Sequence, residues 1–176
     1  MNEQVITLGG GCFWCVEAVF ELVDGVTAVE SGYSNGHVVA PSYEQVCGGD
    51  TGHAEVVRVS FDAGRISLRE VLEIFFHVHD PTTLNRQGND AGTQYRSAIY
   101  WSVPAHEAVA QAVLAEANAA HGGRVVTELL PLAQYSRAEA YHQHYFANHP
   151  GQGYCAHVVA PKVEKFRRSF QARVKG

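Results

Sequence analysis

The chain has no excess of positive charge. Its 13 Lys and Arg stand against 18 Asp and Glu, a net charge of -5 with histidine neutral. That excludes the basic stripe nucleic acid requires and any strong pull toward an anionic membrane. No apolar run approaches the length needed to span a bilayer. No secretory signal is visible either, because Met1-Asn2-Glu3-Gln4 is polar and acidic where such a signal is basic. Cysteine is scarce, with four in 176 residues (Cys12, Cys15, Cys47 and Cys155), too few for a disulfide-stapled secreted scaffold. These absences predict a cytoplasmic protein in a reducing compartment, where cysteines more often carry redox or metal chemistry. There is no internal repeat, low-complexity tract or linker. At this length a single domain, residues 1–176, buries an adequate core.

The apolar run 5–8 reads as a buried strand. Residues 12–23 read as a helix with Phe13, Val16, Val19, Phe20 and Val23 on its apolar face, ended by Asp24-Gly25. Strand resumes over 26–33, and 34–52, rich in Gly, Ser, Asn and Pro, reads as a long loop. Alternation at Val57, Val59 and Phe61 marks a strand over 55–61. Ser67 caps a helix over 68–78, with Glu70 at its third position. A second long loop covers 79–96 and a strand 97–101. Pro104 opens a helix that Gly122-Gly123 stops near 120. Strand is expected over 125–130, helix over 137–148, loop over 150–154 and a last helix over 162–174. The interleaving predicts an α+β two-layer sandwich, with both long loops and the first helix start on one face.

The stretch Gly9-Gly10-Gly11-Cys12-Phe13-Trp14-Cys15 places a thiol where strand and glycine turn hand over to helix. The positive end of the helix dipole makes such a thiol lose its proton more readily. A buried structural cysteine is the competing reading, but it accounts for neither the glycines nor the second thiol, so redox chemistry is preferred. A Cys12–Cys15 disulfide needs adjustment at the first turn. Helix neighbours three apart hold their Cβ atoms ~5–6 Å apart, whereas a disulfide wants roughly 3.5–4.5 Å. The alternative is a zinc-dependent deaminase-type metalloenzyme using His53, Glu55 and the thiols, because His53-Ala54-Glu55 matches the His-x-Glu of that class. There a Pro-Cys-x-x-Cys follows; here the Cys-x-x-Cys comes first and lacks proline. His77/His79 and His142/His144, two apart, do not converge on a helix. No metal is therefore expected. Glu55 stays open between a solvated carboxylate and, facing an apolar pocket, a proton donor with a raised pKa.

Several motifs together carry a resemblance. Gly11-Cys12-Phe13-Trp14 comes first, then Ser42-Tyr43 ahead of Thr51-Gly52-His53-Ala54-Glu55. Gln87-Gly88-Asn89-Asp90 runs into Gly92-Thr93-Gln94-Tyr95-Arg96-Ser97-Ala98-Ile99-Tyr100, and Gly153-Tyr154-Cys155 closes the series. In order and over nearly the whole chain, this resembles the peptide methionine sulfoxide reductase A family. The resemblance implies a ferredoxin-like core and reduction of the S epimer of methionine sulfoxide, free or in peptides and proteins, in protein repair and oxidative-stress defence. It implies no prosthetic cofactor, with electrons from thioredoxin or another dithiol. Cys12 would attack the sulfoxide sulfur and Glu55 would protonate the oxygen. Tyr43 and Tyr95 would hydrogen-bond that oxygen, Asp90 would orient the substrate, and Phe13 and Trp14 would enclose its S-methyl group.

Release of methionine would leave Cys12 as a sulfenic acid for a second thiol to resolve. Here the chain departs from the simplest pattern. Cys15 stands where glycine is often found, and no cysteine follows Cys155. Both remain resolving candidates: Cys155 on the 151–154 loop matches the family motif, and Cys15 lies one turn from Cys12, as expected of Cys-Phe-Trp-Cys members. Cys47 reads as a structural or bystander thiol.

Overall fold

The computed structural model describes residues 2–175. The chain begins with β1 (Glu3–Gly10), α1 (Phe13–Phe20) and β2 (Val26–Ser34), followed by a short α2 (Tyr43–Cys47). Next come β3 (Ala54–Asp62), α3 (Leu68–Val78), a small hairpin of β4 (Arg86–Gln87) and β5 (Asp90–Ala91), and β6 (Ser97–Trp101). The remainder is α4 (Pro104–Ala120), β7 (Glu128–Pro131), β8 (Ser136–Arg137), α5 (Tyr145–Asn148) and α6 (Ala160–Ser169).

The main sheet runs β7-β6-β1-β3-β2-β8, antiparallel throughout except for the parallel β6/β7 edge. β3 lies between β1 and β2, and β1 lies between β3 and β6. Each strand–helix–strand unit is therefore split by a strand of the other. That is the ferredoxin-like arrangement, and the α+β sandwich expected from the sequence is what the chain forms. α4 adds the crossover to β7.

The alternation along β3 divides the two faces. Val57, Val59 and Phe61 join the main core with α1, α3 and α6, whereas Ala54 and Val56 pack on the opposite face with Ala98 and Tyr100 under Leu132 and Tyr135. α1 is apolar nearly all round because it is buried nearly all round; only Trp14 among its residues is half-exposed. Among the described residues no helix is long and apolar enough to cross a membrane.

α3 has its expected bounds, fixed by the reciprocal bonds Glu70 N–H to Ser67 Oγ (3.1 Å) and Ser67 N–H to Glu70 Oε1 (3.2 Å). The expected 34–52 loop contains α2, started by the same device from Ser42 and Gln45, and the 79–96 loop contains the β4–β5 hairpin. β7 begins later than expected, since Val125 N–H goes to Asn118 Oδ1 and Val126 N–H to Pro81 O.

Two expectations fail. Residues 137–148 are not a helix but β8, a 3-10 turn (Ala140–His142), a left-handed His144 (φ +56°) and the one-turn α5. Cys155 does not lie on a flexible loop. It opens a π-helical turn, Cys155–Val159, that runs directly into α6, and its side chain is buried. The last helix thus begins earlier than expected and stops at Ser169, followed by a 3-10 turn at Gln171–Arg173.

Candidate active site

β1 ends in glycine because the turn to α1 leaves no room for a side chain. Gly11 has φ +92°, and a Cβ there would stand 2.7 Å from Gln87 Cβ. Gln87 cannot yield easily. Its amide accepts from Asp80 N–H (2.9 Å) and donates to Asp80 O (2.8 Å). Cys12 follows as the N-cap of α1 but makes no capping bond with its side chain. The first-turn donor it leaves is taken from across the sheet: Phe13 N–H donates to Glu55 Oε1 at 3.1 Å. The Cys12 sulfur stays available while Glu55 is drawn beneath the helix start.

Glu55 is 1% exposed. Burial pushes its carboxyl from the usual 4.5 to about 8, against the pull of the Phe13 N–H and with the charges of Asp90 and Cys15 adding to the rise. It is therefore mostly neutral at pH 7 and buried rather than solvated.

The two thiols of the first turn titrate together. Cys12 is held well above an ordinary thiol, first by burial, then by its hydrogen bond with Cys15 and by the Glu55 charge. Cys15 is pulled to about 7, first by the hydrogen bond from Cys12, with the Lys162 ammonium and the Tyr154 hydroxyl helping against burial. This reverses the expectation from the helix dipole. In this site desolvation outweighs the dipole at Cys12. Burial also raises Cys155, with the Cys15 charge as the second cause, so its electrostatic neighbour is Cys15. All four cysteines are free.

Aromatic groups wall the helix start. Phe13 is buried beside Tyr33, Tyr43 and His142, with ring centroids 5.6, 6.5 and 5.2 Å away. Trp14 stacks on Tyr145 at 3.8 Å, meets Tyr154 edge-on at 5.8 Å, and donates its indole N–H to His142 Nδ1 at 3.1 Å. His142 is buried and its pKa is lowered by that burial. As a neutral ring it carries its proton on Nε2, which has no protein partner. Tyr43 starts α2 with its N–H on Glu139 Oε2 (2.9 Å), and burial raises the pKa of its hydroxyl. Tyr95 ends a 3-10 turn, half-buried, and its hydroxyl feels Glu55, Asp90, Cys47 and Cys12. Asp90 accepts a 2.5 Å hydrogen bond from Tyr154, whose hydroxyl also lies 4.0 Å from Cys15 Sγ.

Phe13, Trp14, Tyr43, Glu55, Asp90 and Tyr95 thus gather around the two α1 thiols, and Cys155 lies behind Cys15. The residues that sequence reasoning missed are His142, Tyr145, Tyr154 and Glu139. All but Tyr154 fall in the segment read as a plain helix, where periodicity gave no sign that they turn inward. They are held by a buried network. Ser31 N–H and O bond the Gln143 amide (both 2.9 Å), and Glu17 accepts from Ser31 Oγ (3.2 Å) and Tyr145 N–H (3.3 Å).

The zinc reading fails on geometry. His53 uses both ring nitrogens on its own loop, accepting from Gly36 N–H (3.2 Å) and donating to Val38 O (2.6 Å). No trio drawn from His53, Glu55 and the cysteines brings its donor atoms together; the one such group among the described residues is Glu17, Glu21 and His144.

Residues 4–174 match the family model described as peptide methionine sulfoxide reductase. A protein from Saccharolobus solfataricus called peptide methionine sulfoxide reductase MsrA is 52% identical over 172 residues, covering 98% of this chain and 97% of that one. The crystal structure of Mxr1 from Saccharomyces cerevisiae in reduced form is similar with a TM-score of 0.84 and 38% identity, over 88% of this chain and 90% of that one. Mxr1 in complex with Trx2 is similar at a TM-score of 0.60 and 27% identity, over 82% and 85% of the two chains.

Proposed function

The chain belongs to the peptide methionine sulfoxide reductase family, and from that premise we propose the following division of labour among its residues. The protein reduces methionine sulfoxide to methionine and is recycled by thioredoxin. Cys12 attacks the sulfoxide sulfur of the S epimer, free or in a polypeptide, and Glu55 delivers a proton to the oxygen. Tyr43 and Tyr95 hydrogen-bond that oxygen as charge develops on it. Asp90, held by Tyr154, orients the substrate, and Trp14 with Phe13 encloses the S-methyl group. The attack joins the Cys12 sulfur to the substrate sulfur, which now carries the hydroxyl; the hydroxyl then passes to the Cys12 sulfur as that S–S bond breaks, its electron pair leaving with methionine, and Cys12 is left as sulfenic acid. Residues 1–176 act as one catalytic unit, without a prosthetic cofactor, in the cytoplasm.

The observation that carries this reading is Glu55, a buried neutral acid hydrogen-bonded under the helix start that presents Cys12. Cys15 resolves the sulfenic acid first. It shares the first turn with Cys12, its backbone N–H bonded to Cys12 O at 3.1 Å. The Cys15 thiol adds to the Cys12 sulfur and water leaves. Cys155 then attacks Cys15, which frees Cys12 and leaves a Cys15–Cys155 disulfide for thioredoxin.

Disulfide mapping by mass spectrometry after one turnover without reductant tests both parts. Cys12→Ser should form no methionine, and retained turnover would remove Cys12 as nucleophile. Cys155→Ser should trap a Cys12–Cys15 disulfide; a trapped sulfenic acid in its place would make Cys155 the first resolving thiol.

A further inference from the structure

A cleft of about 700 Å³ lies between the end of α3, the turn after it, the end of α4 and one side of α6. None of its residues has a role in the reaction proposed above, yet it touches the reaction's machinery twice. Gln87, which fixes the glycine turn before Cys12, also lines the cleft. Lys162, on the α6 side, acts electrostatically on Cys15 and on His79.

Three cations, Arg124, Lys162 and Lys165, line it against a single carboxylate, Asp80. Asp80 is occupied by Thr82, accepting from its N–H (2.9 Å) and its hydroxyl (2.5 Å). Six arginines elsewhere in the molecule are paired with carboxylates, but among the described residues Arg124, Lys162 and Lys165 have none within 4.0 Å. Helix capping explains part of this. Arg124 Nε donates to His121 O (3.0 Å) and His121 Nδ1 to Ala117 O (2.8 Å), which satisfies the end of α4. It does not explain the lysines. Lys162 and Lys165 stand at i and i+3 on α6 and face the same hollow, a like-charge spacing that destabilises a helix. In a chain of net charge -5, unpaired cations gathered in one concavity call for an anion. The volume falls within the range of small-molecule sites.

We propose that this cleft binds a small multivalent anion of the polyphosphate class.

Isothermal titration calorimetry of the reduced full-length protein with tripolyphosphate tests the site, with thermal melts to verify that each variant folds. Saturable binding at one per chain is expected. It should weaken at least tenfold in Lys162→Gln/Lys165→Gln and stay unchanged in Arg65→Gln, whose guanidinium is paired with Asp24 elsewhere. No saturable binding at millimolar tripolyphosphate overturns the site, as does binding indifferent to the lysine pair. Failure to bind the anion, combined with a raised KM for thioredoxin in the double variant, overturns it by assigning the cleft to the protein partner. The calorimetry uses no methionine sulfoxide, so presence or absence of the anion site is separable from the fate of the reductase reading.

Discussion

Glu55→Gln should make the protein more stable and the enzyme slower, and the stability gain should depend on pH in a specified way. The substitution keeps shape and an acceptor oxygen for the Phe13 N–H, and removes only the ability to ionise. In the unfolded chain Glu55 ionises near 4.5, whereas in the folded chain burial holds the proton to about 8. Between those values the folded state carries a proton that the unfolded state has released, so wild-type stability falls as pH rises. At about 1.4 kcal/mol per pKa unit, the penalty relative to glutamine grows from near zero below pH 4.5 to about 5 kcal/mol above pH 8. Urea unfolding of both proteins at intervals from pH 4 to 9 gives the difference curve directly, since other titrating groups largely cancel. A difference that does not change with pH would mean that folded Glu55 titrates like an exposed carboxylate, and the acid role would fall with it. The same substitution should slow sulfenic acid formation in a single turnover by about 100-fold or more. It should also remove the loss of wild-type rate above pH 8 that deprotonation of Glu55 produces.

Other positions give independent checks. Gly11→Ala forces a side chain into a left-handed backbone and against Gln87; a cost of about 1–3 kcal/mol and slower single-turnover chemistry are expected, and wild-type stability in urea would show that the turn is not the constraint described. Ser67→Ala removes the cap of α3 and should cost about 1 kcal/mol in urea melts with kcat unchanged, because nothing of the site rests on that helix end. Tyr154→Phe removes the hydroxyl on Asp90. Losing a hydrogen bond to a charged group, worth about 1.5–3 kcal/mol, should raise KM for the sulfoxide about tenfold or more, and an unchanged KM would show that Asp90 needs no such support.

How far the sequence leads can be judged at individual residues. The alternation Val57, Val59, Phe61 is plain in the string and Glu55 shares its parity, yet at the strand's start spacing alone left Glu55 open between solvent and pocket. What meets it there was not legible either: its partner is Phe13, 42 residues earlier, and no local pattern reports a contact made across the sheet. The Ser67/Glu70 box was legible because a long amphipathic helix follows it. The identical device at Ser42/Gln45 starts only five residues of helix, too few for a periodic signal. The segment 137–148 failed for a different reason. Ala138 N–H bonds Ser31 O (2.9 Å) and the Gln143 amide bonds both polar groups of Ser31, so β2 takes the hydrogen bonds that a helix would use, and tertiary contacts override propensity. Cys155 misled through its neighbours. Gly151 and Gly153 promise a mobile loop, yet the chain winds directly into a π turn with the thiol in the core.

The opening stretch of α1 shows why one physical cause yields two opposite tasks. Helix starts need acceptors, and Cys12 supplies none, so a carboxyl must be brought in and buried to do it. The desolvation that makes Glu55 a proton donor at neutral pH also opposes ionisation of Cys12. In the reaction proposed above, the nucleophile ionises as the positive sulfur of a sulfoxide comes against it and Glu55 gives its proton to the oxygen. In the empty site Cys12 remains a thiol, and the thiolate is the form that oxidants attack. Cys15, 2% exposed, is shielded from solvent by the same packing.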